Sequence, residues 1–167
     1  MLGIARFISG ARTTIERGAS AGVVALVFTM VGITLMQVVL RYVFNAPVRW
    51  SEELARYVFV WITFIGLYLA WRKGAHLGLD LLPYMVGPSA ARLLALLSEA
   101  IVLATLVWAV STSGRLLTIS LNQGSAVLGL PMIYVYSAFL VGAILVAVDI
   151  ALGWLERALT NRSGDPA

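Results

Sequence analysis

This sequence predicts an all-α integral membrane protein: a bundle of four transmembrane helices, with amphipathic interfacial helices at the N-terminus and in the loop between spans 2 and 3. Three observations carry that prediction. Of 167 residues, 60% are hydrophobic and 12% charged, about half the charged share usual in soluble domains, so a water-soluble globule would be left with apolar patches far above a few hundred Å². Four apolar runs are each about 20 residues or longer, enough to cross a hydrocarbon core of about 30 Å. Between the runs stand clusters of Pro, Gly and Asn that break helices. The composition also excludes other classes. Without cysteine there is no disulfide, thiol nucleophile or cysteine-held metal, and the single histidine, His76, rules out a bis-histidine haem. Basic residues are scattered singly, so nucleic acid is not a partner. No triad, phosphate loop or HExxH motif is present, which argues against an enzyme and against a bound cofactor.

The first span is placed at 18–40, a stretch of 23 residues without a charge. It exceeds the apolar core of about 7–15 residues in a signal peptide and is read as a retained anchor. Ahead of it, Ile4, Phe7, Ile8, Ala11 and Ile15 share one helical face among arginines, the pattern of a helix lying in the membrane interface. The second span is placed at 52–71, with Ser51 set to cap free amides and Glu52 and Glu53 at the positive end of the helix dipole. Leu77, Leu79, Leu81 and Leu82 beside Asp80 suggest the second interfacial helix. Span 3 is placed at 89–113, closed by Gly114 and Arg115. The 33 uncharged residues from Leu116 to Val148 are too many for one straight crossing. Breaks at Asn122-Gln123-Gly124 and Gly129-Leu130-Pro131 therefore put span 4 at 131–152. Residues 1–160 form one membrane domain in this reading, and 161–167 a disordered tail.

Four crossings return the chain to its starting side. Eight of the 12 basic residues lie in the two terminal segments and the middle loop, so the positive-inside rule assigns those parts to the cytoplasm. Arg41, Arg49, Arg56 and Arg115 face the other side. Glu52 and Arg56, spaced i,i+4, are set to pair, which leaves Arg41, Asn45 and Arg49 for lipid headgroups or a docking protein. Glu99 lies about 15 Å into span 3, where a carboxylate is costly. It is either an ion or proton site or a structural hydrogen-bonding group. Asp149, near the end of span 4, reads as a hydrated acid beside the headgroups. Gly18, Gly22 and Gly32, with Ala25 and Thr29, form a flat stripe for helix packing within the chain or against another subunit.

Arg41-Tyr42-Val43-Phe44-Asn45, Trp50-Ser51-Glu52-Glu53-Leu54-Ala55-Arg56-Tyr57 and Gly66 resemble the DctQ-type small membrane subunit of tripartite ATP-independent periplasmic (TRAP) transporters. The resemblance continues through Arg72, Gly74, His76, Leu79 and Asp80, then Gln123-Gly124-Ser125 and Leu130-Pro131. It implies a sodium-coupled uptake system for organic acids in a bacterial or archaeal inner membrane. This subunit would scaffold a large TRAP membrane subunit and help receive a periplasmic solute-binding protein that docks transiently. Carried over by position, Arg41, Asn45, Trp50, Glu52, Glu53 and Arg56 shape the periplasmic edge, while Arg72, His76 and Asp80 fix the cytoplasmic loop. Glu99 inherits no role. The rival reading is an autonomous four-helix transporter or channel, a homo-oligomer with Glu99 as its ion-coupling carboxylate.

Overall fold

The computed structural model describes residues 2–74 and 87–162. They form four helices, α1 (Leu2–Tyr42), α2 (Arg49–Arg72), α3 (Pro88–Leu121) and α4 (Ile133–Arg162), each long and apolar enough to cross a membrane. The predicted interfacial helix between spans 2 and 3, with His76 and Asp80, lies outside the described residues.

Sequence explains how these helices survive in lipid and where they stop. Hydroxyl groups inside the apolar runs bond back to their own helix: Thr29 to the Ala25 carbonyl at 2.9 Å, Thr34 to Met30 at 2.8 Å and Thr105 to Ile101 at 2.8 Å. These three hydroxyl donors are thereby not offered bare to hydrocarbon. After α1 the chain turns through Asn45 at φ 50°, a left-handed position that Asn tolerates. Gly74 (φ 65°) follows α2, as a left-handed glycine does after many helices. Gly87 then Pro88 open α3, where proline's missing N–H costs nothing.

Three boundaries differ from expectation. Residues 2–15 are not a separate interfacial helix, because α1 runs unbroken through Arg17 and Gly18. Of their apolar face, Ile8 is buried and Ile15 packs on the core, while Phe7 is 77% exposed. Ser51 is not the cap of α2, which already begins at Arg49 after Pro47 and Val48. Its hydroxyl instead donates to the Val48 carbonyl at 2.7 Å. Gly114 and Arg115 do not end α3, which continues to Leu121. A mid-helix glycine costs about 1 kcal/mol, less than exposing backbone groups to hydrocarbon.

Helix α4 is the hub. Its backbone lies against α1, α2 and α3; α1 also packs on α2, whereas the backbone of α3 approaches α4 alone. The core is the cluster of Tyr68, Val146 and Ile150, onto which Ile15 and Ala19 of α1 and Leu103 and Leu106 of α3 pack. Closer to the α1–α2 loop, Gly142 lets α4 press against α2. A Cβ there would stand 2.8 Å from the Phe64 carbonyl oxygen. Much apolar surface faces outward, including Phe28, Leu35, Leu97, Ile101 and Trp108, as suits a lipid or protein environment rather than water.

Candidate functional site

At one end of the bundle lie the α1–α2 loop and the 122–132 loop. There α2 presents two carboxylates one residue apart, and the fold uses them differently. Glu53, 9% exposed, accepts the Val127 and Leu128 amides at 2.9 and 3.0 Å and the Tyr57 hydroxyl. One carboxylate thus clamps the 122–132 loop onto the start of α2. The loop also closes on itself: Ser125 N–H donates to the Leu130 carbonyl and Met132 N–H to the Gln123 carbonyl, both at 2.9 Å. Trp61 fastens the start of α4 by donating to the Tyr134 carbonyl at 3.0 Å.

Glu52 does not pair with Arg56 along its own helix. It accepts from Gln37 of α1 at 3.1 Å, the helix that packs alongside α2. Arg41, Asn45, Arg49, Trp50 and Arg56 are all exposed. Arg49 and Arg56 line a cleft of 480 Å³ shared with Glu53, Tyr57 and Ser125. Glu52 lines the same cleft, and Arg41, Arg49 and Arg56 form an arginine-rimmed platform whose guanidiniums can pair with carboxylates.

The opposite end carries a charge network that sequence reasoning missed. Arg12 grips Asp149 through two bonds, Nε to Oδ1 at 2.9 Å and Nη2 to Oδ2 at 3.1 Å, and reaches Glu156 at 2.8 Å. Arg72 Nε lies 3.3 Å from Glu16 and 3.6 Å from Asp149, within ion-pair range but not aligned for a hydrogen bond. Asp149 is therefore not a hydrated acid beside the headgroups. It is 5% exposed and held between the cations of two other helices. Gly153 lies against this network: a Cβ there would stand 3.4 Å from Arg12 Nη2, in ordinary van der Waals contact. A usable signal was present: an acid near the end of span 4 and an arginine just before span 1 belong to the same membrane face.

Glu99 belongs to the same end. Arg157 donates to both its oxygens at 2.8 and 2.9 Å, and Trp154 Nε1 donates at 2.6 Å. Helix α4 continues well beyond residue 152, so Arg157 is a helical residue standing level with Glu99. A polar cavity of 210 Å³ lies among Arg12, Arg72, Glu99, Asp149 and Arg157. Gly18, Gly22 and Gly32 meet nothing within 4 Å, so their stripe is not a packing surface within the chain. Among the described residues no group of acids and histidines is placed to hold a metal.

The comparisons with known proteins agree with this architecture. Two Haemophilus influenzae proteins, each named "Putative TRAP transporter small permease protein", are 29% identical over 69% of this chain and 71% of their own length, and 24% identical over 73% of both. The sialic acid TRAP transporter permease protein SiaT of Haemophilus influenzae is 40% identical over 34% of this chain, which is only 9% of that much longer protein. The model of the DctQ component of tripartite ATP-independent periplasmic transporters matches residues 30–160, a stretch that takes in the end of α1 from residue 30, all of α2 and α3, the loop clamped by Glu53, and α4 up to residue 160. The chain is thus a multi-pass membrane protein of the DctQ family, the small permease component of a TRAP transporter.

Proposed function

We propose that this chain scaffolds the large membrane subunit of a sodium-coupled, binding-protein-dependent uptake system for organic acids in a bacterial or archaeal inner membrane. The observation that carries this reading is how the acids are used. Glu53 and Asp149, the buried carboxylates among the described residues, and the half-buried Glu99 are all saturated by the chain's own donors. A coupling carboxylate has to exchange partners during a cycle; these fasten helix to helix. The exposed apolar faces of α1 and α3 suit a flat structure braced against a larger membrane protein.

In this reading the termini are cytoplasmic, the charge network sits at the inner surface, and the arginine-rimmed platform faces the periplasm. The platform receives the solute-binding protein transiently through acidic groups on that protein. Lipid covers what the large subunit leaves bare, and the chain itself carries out no catalysis. The test is reconstitution in proteoliposomes. Uptake of an organic acid should require an inward sodium gradient, the solute-binding protein, the large subunit and this chain together. Transport by this chain alone, lost in Glu99→Gln, would replace this account with the autonomous carrier.

A further inference from the structure

A cavity of 600 Å³ lies between α3 and α4 at the 122–132 loop end, walled by Trp108, Leu116, Ile119, Tyr136, Phe139 and Leu140 among others. Its threonine and serine present no free donor. Thr112 bonds back to the Trp108 carbonyl at 2.9 Å and Ser113 to Val110 at 2.8 Å, so the wall is apolar in effect. It is open sideways because the backbone of α3 touches no helix but α4. Farther along the helix pair Leu103 and Leu106 pack onto the Tyr68 core, and a separate cavity of 300 Å³ lies beside Leu106 and Val110.

Two features select an occupant. The first is length. From Trp108 to Ile119 is about 16 Å of helix, close to half of a hydrocarbon core of about 30 Å. A groove for a transmembrane helix would run on through the other half, whereas this one fits a single leaflet. The second is charge at the mouth. Arg115 falls on the same α3 face as Trp108, Thr112 and Ile119, at the i−3 and i+4 spacings that bring side chains together. It is exposed, with no ion pair or side-chain hydrogen bond among the described residues, and it stands about 9 Å below the end of the helix. Gln123 and Tyr136 add polar groups to the cavity wall.

We infer that this groove is a phospholipid site: one acyl chain of the leaflet at the 122–132 loop end lies between α3 and α4, and the lipid phosphate is held by the Arg115 guanidinium. The inference rests on the chain being embedded in a membrane, and not on which solute its transporter carries. The bound lipid would fill the gap beside α3 that the chain's own packing leaves open.

The test is native mass spectrometry of the complex with its large subunit, taken from vesicles of phosphatidylglycerol and phosphatidylethanolamine. The native chain should keep a phospholipid under conditions that strip the detergent. Ala109→Phe, which fills the groove, should keep none, and Arg115→Gln, a change at an exposed residue, should lose it about tenfold more readily. Arg41→Gln should behave as the native chain does. Absence of lipid from the native complex, or equal retention in all variants, would overturn the site. So would cross-linking of Leu116→Cys, in this cysteine-free chain, to the large subunit, because a protein helix would then occupy the groove. Whether the large subunit co-purifies is read in the same spectra, so failure of the lipid site and failure of the scaffold reading are separable.

Discussion

Asp149→Ala is the perturbation that most sharply tests how the bundle is fastened. The Asp149 side chain is 6% exposed and its partner Arg12 16%. The substitution therefore strands a largely buried guanidinium instead of releasing it to water. Removing one member of a fully buried pair costs about 3–5 kcal/mol. Here Arg12 keeps Glu156 at 2.8 Å and has some access to solvent, so we expect a smaller cost, about 2–3 kcal/mol. At about 2–4 °C per kcal/mol for a domain of this size, Tm should fall by about 5–10 °C. Glu156→Gln, removing a group that is 30% exposed, should cost at most about 1 kcal/mol. Replacing both partners, Arg12→Met with Asp149→Leu, should return part of the loss, because the Arg12 guanidinium is no longer stranded while Arg72 keeps only Glu16. Thermal unfolding in detergent, followed by circular dichroism, measures all four proteins. A single variant within about 0.5 kcal/mol of the native chain, or a double variant no better than the single one, would refute the assignment of Asp149 as a buried, paired carboxylate.

Four other outcomes follow from the same geometry. Gly142→Val should destabilise the chain by about 1–3 kcal/mol through collision with the Phe64 backbone, while Gly22→Ala on the open face of α1 should leave Tm unchanged; thermal unfolding of both separates them. Glu53→Gln should speed hydrogen exchange at the Val127 and Leu128 amides without changing exchange in α3, and unchanged protection would show that the loop holds itself. Charge reversal at Arg41 and Arg49 should abolish uptake that depends on the solute-binding protein while the membrane complex still assembles; uptake at the native level would remove these residues from the docking surface. Glu99→Gln should leave turnover per assembled complex intact and lower stability by about 1 kcal/mol or less, because Arg157 is 58% exposed and the pair is well screened.

What could be read from the sequence follows the physics of each feature. The four crossings were legible because hydropathy and length are local quantities, and the bilayer fixes how long a span must be. The helix ends were less so. The continuation of α3 past Gly114 depends on the cost of exposing backbone in lipid, which outweighs the usual punctuation by glycine. Side-chain partners were the least legible. Glu52 with Arg56 is a sound pair on an isolated helix, yet Gln37, 15 residues away, takes the carboxylate because α1 packs alongside. Arg12 and Asp149 are 137 residues apart, and only the antiparallel return of α4 brings them together. Gly142 gave no sign of its importance, whereas the conspicuous stripe of Gly18, Gly22 and Gly32 meets nothing in this chain. A spacing pattern reports that a helix face is flat and says nothing of what lies against it.

The central claim is that this chain is built to hold another membrane protein. The most direct measurement is to tag it, extract it from its native membrane in mild detergent, and identify by mass spectrometry what remains bound in equal amount. The account predicts a large polytopic membrane protein at one-to-one stoichiometry. Recovery of this chain as a self-associated oligomer with no larger companion would contradict it.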